Sequence, residues 1–173
     1  GPTAGPGSFT VTSVRPPTEW CDAVAAATTR IRRGDLEKVV LAREVRVEAD
    51  GPFDLPAIAR RLRLGFPGCY VFSVDGFVGA SPELLVARAG TEVRSQPMAG
   101  TAPRRGDPEA DADAVARLRA SPSYRHEHQV TIDAVYEALV PFCSFLDFEA
   151  EPSVVTLPNV THLATTVSGQ LST

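Results

Sequence analysis

A lysine at the head of an apolar run is the first group in this chain placed for chemistry. In EKVVLARE, residues 37–44, Lys38 precedes Val39, Val40 and Leu41, and the run reads as a strand over 38–47. A lysine there either snorkels to water along its stem or, once desolvated, is neutral often enough to act as a base. In GASPELL, Glu83 comes directly after Pro82. Proline brings no donor to a ladder, so the strand bulges or starts there, and bulges re-aim side chains. Glu83 is then either an exposed edge glutamate or a carboxyl aimed at a substrate.

Three further stretches carry polar groups. PMAGTAP puts Gly100 and Thr101 in what reads as a flexible loop, where a glycine lets the backbone approach a ligand and offers its N–H to an anion. The alternative is a simple turn. YRHEHQ is not the HExxH zinc pattern. His126 and His128 are two apart, so on a helix they cannot share one ion, whereas Glu127 can offer a carboxylate to a hard cation such as Mg²⁺. A solvated helix start explains the same residues. NVTHLATT sets His162 in an apolar strand, as a core histidine or as a contact to a polar ligand. There is no phosphate-binding P-loop, no GxGxxG and no ordered Ser/His/Asp set.

The elements that must position these groups are legible from caps, turns and periodicity. Residues 1–17 read as a flexible Gly/Pro-rich arm ahead of a domain over 18–173. Thr18 is the expected cap of a helix running to about Arg33 and stopped by Gly34. Asp54 caps a second helix that ends at Gly65. Asp75-Gly76 is a strong hairpin turn and Ala89-Gly90 a weaker one, so residues 69–95 read as an antiparallel meander broken at Ser81-Pro82. A polar loop from residue 97 leads to a helix at 108–120. A longer helix follows, with Val130, Ala134, Ala138 and Leu139 on its apolar side and Pro141 ending it. Residues 153–157 and 161–171 read as two more strands. This mixture is an α+β fold rather than a doubly wound sheet.

Composition narrows the class. The chain has 173 residues, 43% hydrophobic and 22% charged, which is ordinary for a globular domain. A net charge of -4 gives no pull toward nucleic acid or an anionic membrane. No apolar run reaches the roughly 18 residues of a membrane span. The opening GPTAGPGSFTV does not read as a secretion signal. Cys21, Cys69 and Cys143 are odd in number and form no CxxC pair, so a reduced, cytoplasmic setting is expected.

Taken in order, EKVVLARE, GASPELLV, PMAGTAPR, HEHQ and LPNVTHLATTVSG resemble the chorismate-utilising enzymes over about residues 30–170, and isochorismate synthases in particular. The resemblance implies an anthranilate synthase component I-like fold, with antiparallel sheets packed inside outer helices. It implies conversion of chorismate to isochorismate, feeding menaquinone or siderophore and salicylate biosynthesis. Lys38 would take a proton from the water that adds at C2, and Glu83 would protonate the departing C4 hydroxyl. Gly100, Thr101 and His162 would bind substrate, and Glu127 would serve Mg²⁺. Ala99 stands where the aminodeoxychorismate branch carries a nucleophilic lysine, which argues against that route. Salicylate synthase, an anthranilate-type enzyme and a non-catalytic remnant that binds a partner are the alternatives.

Two features depart from the family pattern. Ser123 and Tyr124 stand where a lysine and an acid usually precede the Glu-His pair. Family members also continue for roughly another domain-half. Residues 1–173 are therefore expected to be the N-terminal portion of the catalytic domain, inactive alone, and to meet either a complementary C-terminal chain or a swapped copy of themselves.

Overall fold

The computed structural model describes residues 6–172. They divide into two units, one ending at Ile58 and the other beginning at Ala59.

The first unit is built on a strand pair and a helix. β1 (Phe9–Ser13) pairs antiparallel with β2 (Val45–Ala49), from Phe9 opposite Ala49 to Ser13 opposite Val45. The Asp50 carboxylate secures the start of this ladder by accepting from the Gly7 N–H and the Ser8 hydroxyl, both at 3.0 Å. β1 corrects the expectation of a flexible arm over 1–17; residues 1–5 of that arm lie outside the described residues. α1 (Pro17–Arg32) begins one residue before the expected cap Thr18. Pro17 stands in its first turn, where a missing N–H costs nothing. Gly34 stops it at φ +80°.

The expected strand over 38–47 is corrected as well. Only its end, from Val45, lies in β2. β1 gives way to Pro16 and Pro17, which cannot continue a ladder, so the pairing stops where the Val14 N–H donates to the Glu44 carbonyl at 3.4 Å, and residues 38–43 lie outside the ladder. Val39 and Val40 are 41% and 79% exposed rather than buried.

α2 (Leu55–Gly65) is capped as expected, with Asp54 Oδ1 accepting from the Ala57 N–H at 2.8 Å. In the second unit, β3 (Tyr70–Val74) and β4 (Phe77–Ser81) form a hairpin closed by Asp75 and Gly76. Both turn residues have positive φ, 48° and 84°, as a type I′ turn requires. The strands then change sheets at Pro82. β5 (Leu84–Ala89) and β6 (Glu92–Gln96) belong to a four-stranded sheet with β8 (Cys143–Phe148) and β11 (Val167–Leu171), in the order β5-β6-β11-β8. The meander expected over 69–95, with its break at Ser81-Pro82, is two hairpins in separate sheets.

A three-stranded sheet, β7-β10-β9, joins β7 (Met98–Pro103), β10 (Val160–Ala164) and β9 (Ser153–Thr156). The expected loop at 98–103 is thus a strand, and β8 and the split between β10 and β11 escaped the sequence reading. α3 (Pro108–Ala120) matches expectation. Asp107 caps it by accepting from the Glu109 and Ala110 N–H groups, with Pro108 next in line.

α3 and α4 (Pro122–Leu139) pack over β7, and the core lies between them: Ala114 and Leu118 of α3 against Ala102 and Leu163. Small residues on β7 let the helices approach. On α4 the buried positions are His128 and Ile132; Ala134 and Ala138 of the expected apolar stripe are exposed. The helix is turned by what it docks on, and its most buried side chain is polar.

Candidate active site

Glu83, Gly100, Thr101 and His162 gather where the two larger sheets of the second unit meet. Two of the three direct crossings between these sheets are at Pro97 between β6 and β7 and at Thr165–Thr166 between β10 and β11. The crossings bond to each other, the Thr165 N–H donating to the Pro97 carbonyl at 3.2 Å. Pro97 and Thr165 are fully buried, so each polar group here needs a partner inside the protein.

Glu83 is held at this seam. It lies just beyond Pro82, in the turn from β4 to β5, and its Oε1 accepts the Met98 N–H at 2.9 Å. The residue is otherwise exposed, and Oε2 accepts no hydrogen bond among the described residues. The expectation of a start or bulge after Pro82 is met by both. β5 begins at Leu84, and its register slips between Leu84 and Ala87. Ser95 fills the slip, its hydroxyl donating to the Leu85 carbonyl at 2.7 Å.

Gly100 and Thr101 form a second bulge. His162 stands opposite Thr101 and Leu163 opposite Ala99, so Gly100 is an extra residue in β7. Its φ of +79° is the left-handed conformation that a glycine bulge uses. Gly100 is buried against α3 and α4. A Cβ there would sit 3.4 Å from Tyr124 Cβ and 3.5 Å from Leu118 Cδ1. The glycine thus shapes the strand rather than lying in a flexible loop.

The bulge brings Thr101 Oγ1 to 3.0 Å from His162 Nδ1. When the hydroxyl donates, the imidazole is neutral and its proton sits on Nε2. The surroundings favour that form. Burial pushes the His162 imidazole below its ordinary value, while the nearby Glu83 carboxylate opposes the shift. A neutral imidazole, a hydroxyl and a carboxylate anchored by one oxygen thus share one patch. Such a set can donate to and accept from a substrate rich in hydroxyl and carboxylate oxygens.

Glu127 is half-buried on α4, between Tyr124, which lies against Gly100, and His128, whose Nε2 is 2.8 Å from Thr165 Oγ1. Among the described residues no three His, Cys, Asp or Glu side chains gather as a metal site. Glu127 alone still fits Mg²⁺ as one ligand of a set, because Mg²⁺ keeps several waters and takes only one or two protein carboxylates. Lys38 belongs to the first unit, where it is half-buried in a segment outside any strand. His128 and Thr165 are the pair that sequence reasoning missed. Their signal was a histidine four residues before Ile132, on the same helical face.

Comparison with known proteins gives the family. A Mycobacterium tuberculosis protein named MenF is 44% identical over 149 residues, 80% of this chain and 40% of that one. The isochorismate synthase DhbC of Bacillus subtilis is 35% identical over 176 residues, 95% of this chain and 44% of its own. The crystal structure of a Bacillus anthracis protein named DhbC superposes with a TM-score of 0.89 at 36% identity, covering 96% of this chain and 47% of that one. The chain therefore spans less than half the length of these relatives. No helix among the described residues is long and apolar enough to cross a membrane. Residues 3–173 match the family described as chorismate binding enzyme, and the chain belongs to that family.

Proposed function

We propose that this chain forms part of an isochorismate synthase, which turns chorismate into isochorismate for menaquinone or siderophore biosynthesis. Water adds at C2 of the ring and gives a proton to Lys38. The ring double bonds shift, the C4–O bond breaks, and Glu83, protonated before this step, supplies the proton with which the hydroxyl leaves as water. One water enters and one departs, so the reaction is an isomerisation. Thr101 and His162 hydrogen-bond substrate oxygens. Glu127 is the residue that would hold Mg²⁺, which when bound neutralises a substrate carboxylate.

The observation that carries this reading is the Glu83–Met98 hydrogen bond. It leaves one carboxyl oxygen open beside His162, in a chain 35% identical to an isochorismate synthase over 95% of its length. The Glu83 carboxyl needs no nucleophile or redox group beside it, as befits proton transfer to a leaving group.

Product analysis with the full-length protein carrying residues 1–173, chorismate and Mg²⁺ is the test. Isochorismate supports the reading. Salicylate with pyruvate would identify a salicylate synthase, and turnover only with ammonium an anthranilate-type enzyme. Lys38→Ala separates an enzyme from a binding remnant: turnover is lost in the first, and ligand binding is untouched in the second.

A further inference from the structure

We propose that His128 is a positioning residue that, through Thr165, fixes where Glu127 stands relative to the seam that anchors Glu83. This rests on the reading of Glu127 as a Mg²⁺ ligand.

His128 is 1% exposed and is among the largest fully buried side chains of the protein. Burying an imidazole costs free energy that an apolar residue in the same place would not incur. The position lies one turn before Ile132 on a helix face that otherwise needs only hydrophobic bulk. A polar group there contributes direction rather than burial. Its Nε2 meets the hydroxyl of Thr165, itself 0% exposed, at 2.8 Å.

Thr165 is not an arbitrary partner. It begins the crossing between β10 and β11, and its N–H donates to the Pro97 carbonyl of the crossing between β6 and β7. The residue after Pro97 is Met98, whose N–H is taken by Glu83. Three hydrogen bonds thus connect α4 to the Glu83 carboxylate, by way of the β10–β11 and β6–β7 crossings. Glu127 is the residue next to His128, so its carboxylate moves with the roll of the helix that this bond fixes. At a side-chain radius of about 6 Å, a roll of about 10° displaces a carboxylate by about 1 Å. Displacements of that size weaken metal sites and misplace substrates.

The test uses the full-length protein and reads Mg²⁺ affinity by titration calorimetry, with kcat and KM for chorismate and the unfolding midpoint beside it. Thr165→Val removes the hydroxyl at constant shape. His128→Leu removes the imidazole, and His128→Gln keeps an amide near the Nε2 position. We expect Thr165→Val and His128→Leu to weaken Mg²⁺ binding by about ten- to a hundredfold, as loss of an outer-sphere partner does, and His128→Gln to restore most of it. If His128→Leu does not fold, Thr165→Val carries the comparison. Unchanged Mg²⁺ affinity in folded Thr165→Val overturns the proposal, and so does a merely lowered unfolding midpoint. A wild type that binds no Mg²⁺, or a Glu127→Gln variant that binds it equally well, also overturns it. A protein that shows the affinity pattern but leaves chorismate unchanged refutes the proposed activity and upholds the positioning role.

Discussion

Thr101 Oγ1 and His162 Nδ1 lie 3.0 Å apart because Gly100 adds one residue to β7 immediately before Thr101. The hydrogen bond and the bulge are one feature: the extra residue turns the threonine hydroxyl toward the imidazole of the neighbouring strand.

Gly100→Ala tests the bulge. A Cβ at this position has ordinary contact distances of 3.4–3.5 Å to its neighbours, so space is tight but not closed. The backbone conformation is the larger obstacle, since an L-residue in the left-handed region costs about 1–2 kcal/mol. Urea unfolding should show a loss of that size. A variant as stable as the wild type would mean that the strand does not need the positive φ.

Glu83 holds the Met98 N–H, and the proposed acid role is separable from that bond. Glu83→Gln keeps an oxygen for the Met98 N–H, so folding should hold while turnover falls by about 10²–10⁴-fold, the contribution of a general acid. Glu83→Ala removes both, and adds a stability loss of about 1 kcal/mol for the abandoned N–H. Equal kcat in Glu83→Gln and wild type would remove Glu83 from the chemistry.

The titration of His162 sets a direction for pH. Burial, opposed in part by Glu83, lowers its folded-state value below the 6.5 of an unperturbed imidazole. Between the lowered value and 6.5 the unfolded chain binds more protons than the native one, so native stability rises with pH across that window and is complete above 6.5. Acidification from about pH 7.5 to about pH 5 should therefore cost the wild type more stability than His162→Gln, which cannot take the proton. Parallel losses in denaturant midpoints of the two proteins would contradict this.

Leu118 supports the site from behind. It is fully buried and packs with Ala102, Ala114 and Leu163, so it joins α3 to both strands that carry Thr101 and His162. Leu118→Ala should destabilise by about 2–5 kcal/mol. Chemical denaturation monitored by circular dichroism measures it, and a loss well under 1 kcal/mol would show that the pocket collapses freely.

Local chemistry was readable without any structure. Asp54 capped α2 and Asp75-Gly76 closed a hairpin, because a cap or turn is decided by a few consecutive residues. The ordered motifs around Lys38, Glu83, Gly100, Glu127 and His162 named the family for a related reason: they are short, and their residue types survive reading one at a time.

What the tertiary structure decided was pairing and burial, which depend on residues far away in sequence. Lys38 looked like the head of a strand, yet β1 runs into Pro16 and Pro17, and the β1–β2 ladder does not reach back to Lys38. Gly100 looked like a loop glycine and is an extra residue in a buried strand, visible only once His162 stands opposite Thr101. Glu83 is anchored by Met98, fifteen residues on, after the chain has changed sheets at Pro82. His128 looked like part of a solvated helix start, and its burial follows from Thr165, thirty-seven residues downstream. Residue types told which groups could carry protons, and only the meeting of the two sheets, which buries some polar groups and pairs others, determined which of them stand together.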